Sequence, residues 1–425
     1  MSTRGLGTGR LHYGWIVAGT TFVVLLTVAG VVGTAGVLIK PLEAEFGWTK
    51  AEISTSLSIR FALFGLMAPF AAALFNRYGV RPVTLPALVM IGAGIVLSFG
   101  MTHLWQLNLL WGVLVGIGTG LVAMVLGATV ATRWFTAQRG LVVGALTASV
   151  AAGQLIFLPL VAWLEGSVGW RVALLVLVLL LVVVAVLTAI LMRDRPSDVG
   201  LPPYGDTVIQ PAPPPPSGSI VGAAFTALRD ASKSGVFWVL FATFFICGLS
   251  TNGLVQMHFV PLCADFGMPA VGAASVLAFM GIFNLIGTIA SGWLSDRYDN
   301  RWLLFWYYGL RGLSLLYLPY SDFSFYGLAL FAIFYGLDWI ATVPPTVRLT
   351  AERFGPERAN IVFGWIFAGH QLGAAAAALA GGYSRTALES YLPAFFAAGA
   401  LCLVASVLIL TLSRPAPKAP VPQAA

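Results

Sequence analysis

The sequence predicts an all-α membrane protein, with twelve transmembrane helices arranged as two pseudo-symmetric six-helix bundles. Three observations lead there. The 425-residue chain is 59% hydrophobic and only 9% charged. That is too little polar surface to cover a soluble globule, and the chain has too many apolar runs of about twenty residues to hide inside one. Its cations collect on alternate loops, and landmark residues recur between its halves at one fixed spacing.

A helix needs about 20 residues to cross roughly 30 Å of hydrocarbon. Apolar runs of that length fall near 15–39, 52–75, 82–101, 104–132, 139–163 and 170–193. The first follows Arg4 and Arg10 and lacks a small-residue cleavage site with a soluble domain after it, so it reads as a retained helix rather than a signal peptide. Residues 194–235 then hold Pro196-Ser197-Asp198, Pro211, the run Pro213 to Pro216, and Arg229 and Lys233, with nothing apolar enough to span. Such a stretch reads as a semi-rigid, solvated linker. Six further runs follow near 236–262, 271–295, 302–320, 324–347, 358–382 and 391–413. The expected organisation is a bundle over 1–193, a Pro-rich linker over 194–235, and a second bundle with a short tail over 236–425. An even number of crossings puts both termini on one side.

Of the 23 Lys and Arg residues, Lys40, Lys50, Arg171 and Arg385 lie on the opposite loops, and Arg60 and Arg311 lie inside spans. All the others are on the side of the termini, which the positive-inside rule assigns to the cytoplasm. The abundance of Ala, Gly, Val and Leu fits a bacterial inner membrane. This charge bias also accounts for the net charge of +7 and the pI near 9.5 without a nucleic-acid partner. Cys247, Cys263 and Cys402 show no metal, redox or disulfide spacing, and neither metal nor cofactor is expected. No nucleophile, base and orienting group recur at catalytic spacing, which argues against an enzyme.

The repeat is specific. Pro41, Glu45, Phe46 and Gly47 match Pro261, Asp265, Phe266 and Gly267; Asn76-Arg77 match Asp296-Arg297; Arg81 matches Arg301, Arg133 matches Arg353, Gly144 matches Gly364 and Gly153 matches Gly373. Every pair is 220 residues apart, with no insertion across four helices. Parallel repeats about an axis along the membrane normal place a solute site at their interface near mid-bilayer.

Ala72-x3-Asn76-Arg77-Tyr78-Gly79-Val80-Arg81 and Gly292-x3-Asp296-Arg297-Tyr298-Asp299-Asn300-Arg301 resemble the loop motif of the major facilitator superfamily. Tyr13-Gly14-Trp15, Lys40-Pro41-Leu42, Phe46-Gly47-Trp48 and Arg133-Trp134-Phe135-x3-Arg139-Gly140-x3-Gly144 resemble its monocarboxylate transporter and oxalate/formate antiporter branch. The resemblance covers nearly all of the chain outside the linker and tails. It implies the major facilitator fold and alternating-access transport, here of a small organic monocarboxylate coupled to a proton. The expected partners are an organic anion, a proton and membrane lipid. The loop motif suits a latch in which Asp296 and Arg297 gate the terminal side. Asn76 replaces the acid in the first copy, and the competing reading makes these residues ordinary positive-inside anchors.

Ionisable side chains at mid-bilayer cost at least about 2.5 to 3.5 kcal/mol and need a partner or a wet cavity. Arg60 lies about eight residues, roughly 12 Å, below the outer end of the second helix. Its fork of donors suits a carboxylate, and the alternative is a structural Arg paired with a backbone carbonyl. His370, Gln371 and Asn252 reach similar depth by helical rise. In the superfamily fold the second and eleventh helices flank the interface, so Arg60 and His370 are expected to face one another. His370 is then a candidate for proton carriage or for a neutral core role. Tyr335, Asp338, Trp339 and Thr342 share one face of the tenth helix, which lines the cavity in the family. Asp338 is either a proton-coupling site or the partner of Arg311, the latter being favoured. Pro344 and Pro345 mark a bend for gating, His258 a gate at the outer mouth, and the glycines Gly116, Gly118 and Gly120 close packing. The branch's usual Arg in the eighth helix is missing from Asn284-Leu285-Ile286-Gly287-Thr288, which leaves Arg60 as the replacement anchor. Rival readings are an exchanger or exporter of another solute on this fold, or a non-transporting sensor.

Overall fold

The computed structural model describes residues 12–34, 37–48, 50–209, 211 and 219–413. Arg4, Arg10, Pro213 to Pro216, Arg414 and Lys418 lie outside the described residues. Span 1 is Tyr13–Thr34, span 2 the bent pair Lys50–Leu66 and Ala68–Tyr78, and span 3 Val80–Ser98. Span 4 is Leu104–Trp134, span 5 Arg139–Val168 and span 6 Trp170–Leu191. The second set comprises span 7, Gly235–Asp265; span 8, Ala270–Ser295; span 9, Asn300–Tyr317; span 10, Ala329–Phe354; span 11, Pro356–Ala387; and span 12, Leu392–Leu410.

Ten of these rods are long and apolar enough to cross a membrane unaided, and the pair in span 2, bent by 48°, makes an eleventh. Span 9 is the twelfth; it is less apolar because Asn300, Arg301 and Arg311 are buried inside the bundle. The twelve-helix expectation is met, with boundaries close to those read from hydropathy.

The two halves break their fourth helices at matching places. Span 4 is interrupted at Val122 and Ala123, and span 10 between Asp338 and Val343, again 220 residues on. In span 10 the cause lies in the chain: Pro344 and Pro345 open the second piece, where their missing N–H groups cost least. The backbone groups freed by the break are met by side chains, as burial in an apolar medium demands. Arg311 donates to the carbonyls of Asp338 (2.5 Å) and Trp339 (3.0 Å), and Ser291 to that of Ala341 (2.6 Å). Asn284 accepts from the Ile340 amide (3.2 Å).

The bundles meet mainly on the face that carries the termini. Span 5 lies along span 8, where a Cβ on Gly140 would stand 2.6 Å from the Gly292 carbonyl and one on Gly144 2.8 Å from that of Thr288. Only glycine allows backbones so close. Span 2 lies along span 11 from Asn76 and Asn360 up to Gly65 and Gln371. On the opposite face the described ion pairs stay within one half: Glu45 takes Arg171 and the Trp170 indole, and Asp265 takes Arg385. The Arg171 hydrogen bond holds the Glu45 carboxyl below its ordinary pKa.

The linker departs from the solvated stretch expected of it. Tyr204 is clamped to the first half: its amide donates to the Trp134 carbonyl and its carbonyl accepts from Thr136 and Ala137. Beyond the prolines, Ser219 caps a helix, Ile220–Ala231, that packs on spans 2 and 11. Its apolar face, with Phe225 and Ala224, supplies the reason.

Candidate functional site

Arg60 stands five residues, about 7.5 Å at the helical rise of 1.5 Å per residue, outward of Gly65, which meets Gln371 of span 11. It is 1% exposed. Nη2 donates to the Val32 carbonyl of span 1 at 3.0 Å, and the guanidinium carbon lies 4.9 Å from the Phe61 ring centre. Nη1 has no hydrogen-bond partner among the described residues. Gly116 permits span 4 to pack on the Arg60 backbone, with 3.1 Å between its notional Cβ and the Arg60 Cα. A guanidinium has the paired donor geometry that a carboxylate matches, and here one of the two Nη groups is unmet.

Below it, span 11 brings Gln371 against Gly65, with its half-buried amide unpaired among the described residues. His370 turns the other way, so the expectation that it faces Arg60 is corrected. Its backbone packs on Gly248 of span 7, and its ring lies between Phe244 (4.9 Å) and Phe367 (5.9 Å, nearly parallel). Phe367 in turn meets Phe64 of span 2 edge-on at 5.8 Å. Phe367 thus links the His370 ring to Phe64 of span 2, while Nδ1 of His370 is buried with no partner among the described residues. Asn252 is half-buried in a π-helical stretch, Leu249–Val255, held to span 11 by the close approach of Gly253 to Ala374.

Three residues expected in substrate binding (Tyr335), proton coupling (Asp338) and gating (His258) make their hydrogen bonds within the second bundle. The Tyr335 hydroxyl is wholly buried and donates to the Ser250 carbonyl at 2.7 Å, tying span 10 to span 7. Asp338 pairs with Arg311 at 2.7 Å inside the second bundle, and Arg311 also reaches Sγ of Cys247 at 2.9 Å. His258 donates through Nε2 to the Ala378 carbonyl at 3.0 Å and packs beside Tyr391, joining spans 7 and 11 of the same half. Each fits the ordinary packing reading of a polar stripe: buried polar groups find partners within their own bundle.

On the terminal face the loop motif joins the halves. Asp296 accepts from the Gly140 amide (2.8 Å) and the Leu141 amide (2.9 Å), two of the open N–H groups at the start of span 5. It also pairs with Arg348 of span 10 at 2.6 Å. Arg297, expected to share this role, instead lies over Trp293 of its own helix at 3.9 Å. Arg348 was legible only as one basic residue among many. In the first copy Asn76 and Asn360 exchange amide hydrogen bonds (3.1 and 2.8 Å), Asn76 also donates to the Glu357 carbonyl, and Arg133 donates to Asn76 at 2.8 Å. This neutral clasp is possible because Asn, unlike Asp, carries donors as well as an acceptor.

Two repeated bundles joined by such loop motifs define a membrane transporter fold. The Major Facilitator Superfamily model matches residues 20–378 and 264–425, and the chain belongs to that family. It is 28% identical over 404 residues to monocarboxylate transporter 13 of Rattus norvegicus, covering 94% of this chain and 89% of the relative. An uncharacterised MFS-type transporter, YcxA, of Bacillus subtilis (strain 168) is 25% identical, covering 89% of this chain and 90% of that one. Among solved structures, the E. coli fucose:proton symporter FucP aligns with a TM-score of 0.68 at 14% identity, covering 94% of this chain and 100% of that one. The proton:xylose symporter XylE aligns with a TM-score of 0.70 at 14% identity, covering 94% and 95%.

Proposed function

We propose that this transporter moves a small organic monocarboxylate across a bacterial inner membrane by alternating access, together with a proton, with both termini in the cytoplasm. The observation that carries the reading is the buried guanidinium of Arg60, with one nitrogen unmet, about 7.5 Å outward of the Gly65–Gln371 contact between spans 2 and 11. Gln371 and Asn252 offer amides with no partner among the described residues near that level, and His370 is the group available to carry the proton. The kinship to monocarboxylate transporters supports the substrate class. An inside-negative potential of about 100 mV opposes entry of a lone monoanion by ~2.3 kcal/mol, roughly 50-fold at equilibrium. Co-transport of one proton removes that penalty.

In this reading residues 1–193 and 236–425 rock as two units, the conformer described is closed on the cytoplasmic side, and Asp296 holds it closed by accepting from the Gly140 and Leu141 amides of the other half. Uptake of short carboxylates into proteoliposomes should rise when the exterior is acidified. An imposed pH gradient that stimulates uptake of no carboxylate removes the proton from the scheme. One observation favours exchange as a second reading: Asp338, the one acid buried within a span among the described residues, is already bound to Arg311. Rapid self-exchange with no response to the gradient would select exchange. Asp296→Asn keeps an acceptor but loses the charge, so a cysteine placed at the seam should be alkylated faster from the cytoplasmic side; unchanged labelling would remove Asp296 from the gate.

A further inference from the structure

The linker helix Ile220–Ala231 lies across the seam between the bundles, touching both. Phe225 meets Phe70 of span 2 at 6.0 Å and Trp365 of span 11 at 5.5 Å, and those two rings lie 6.2 Å apart. The Trp365 indole donates to the Ala224 carbonyl at 2.9 Å. Asp230 stands 3.9 Å from Arg358 near the start of span 11. Upstream, Tyr204 is fastened to the first half through Trp134, Thr136 and Ala137, with its ring against Trp15 and Phe135. The linker is thus tied to one half at Tyr204 and docked on both halves at Phe225.

We propose that this helix is a strap whose docking holds the terminal face shut. The inference rests on the alternating-access reading but not on the identity of the solute. Phe70 and Trp365 belong to different bundles, so separation of spans 2 and 11 pulls the three-ring cluster apart. Phe225 must then leave at least one of its partners. The contacts that seat the helix exist only while the face is closed, and an interaction made in one state alone shifts the balance toward that state.

The test uses the full chain with a reporter cysteine at Thr129, which is 1% exposed at the seam beside Asn360. Its labelling by a water-soluble maleimide from the terminal side is compared with the same chain lacking the reporter. Phe225→Ala is expected to label severalfold faster. Trp365→Phe, which keeps a ring but loses the bond to Ala224, is expected to do the same. Should Phe225→Ala fail to fold, Trp365→Phe decides. Asp296→Asn separates this inference from the gating reading. Faster labelling in Asp296→Asn with unchanged labelling in the two strap variants overturns the strap alone. Unchanged labelling in all three overturns the strap and the gate together.

Discussion

Arg60→Ala is expected to lose carboxylate binding by about ten- to a hundredfold, since a hydrogen bond to a charged group contributes about 1.5 to 3 kcal/mol and each 1.4 kcal/mol is tenfold. The fold should tolerate the change. Arg60 holds one backbone carbonyl, that of Val32, and leaves Nη1 unmet, so truncation removes a desolvated charge along with a single bond. Thermal unfolding in detergent measures both effects. A ligand that binds only the native protein raises its melting temperature, so the carboxylate-induced shift should vanish in Arg60→Ala while the ligand-free value changes little. Arg60→Lys should recover only part of the shift, because an ammonium supplies charge without the planar fork. An undiminished shift in Arg60→Ala would remove the anchor, and a collapse of the ligand-free melting temperature would make Arg60 structural.

What could be read from the chain divides by the range of the interaction. The twelve crossings and the repeat rest on local apolarity or on fixed spacing, and the structure places the crossings close to expectation. The break in span 10 was readable because Pro344 and Pro345 are written in the chain. Its partner at Val122 was not, since no proline marks it. The linker helix was hidden by its twelve-residue length and by the prolines before it, which favoured a solvated reading. Depth along a helix gave the level of His370 but not its direction: its ring turns toward Phe244, and Gln371, one residue on, meets span 2 instead. Likewise Arg297 and Arg348 are both basic residues on the terminal side. Only their positions across different helices decide that Arg348 reaches Asp296 while Arg297 lies on its own Trp293.

The second large effect concerns Arg311. Its Nε donates to Asp338 at 2.7 Å, its Nη2 serves the carbonyls of Asp338 and Trp339 at the break, and its Nη1 reaches Cys247. Both side chains of the ion pair are within 5% of full burial. Removing one partner of such a pair costs about 3 to 5 kcal/mol, because the other charge is left without compensation. Arg311→Ala should therefore unfold at a markedly lower temperature, as should Asp338→Ala, which strands the guanidinium. Arg311→Met combined with Asp338→Leu leaves no lone charge and should lose much less than the two single changes added together. The remaining deficit reports the carbonyls at the break, which no longer have a donor. The cycle also separates bracing from proton coupling. Asp338→Asn with intact self-exchange but no response to a pH gradient would make Asp338 the proton carrier. Equal loss of exchange and of gradient-driven uptake, in step with lost stability, leaves it as the brace of span 10.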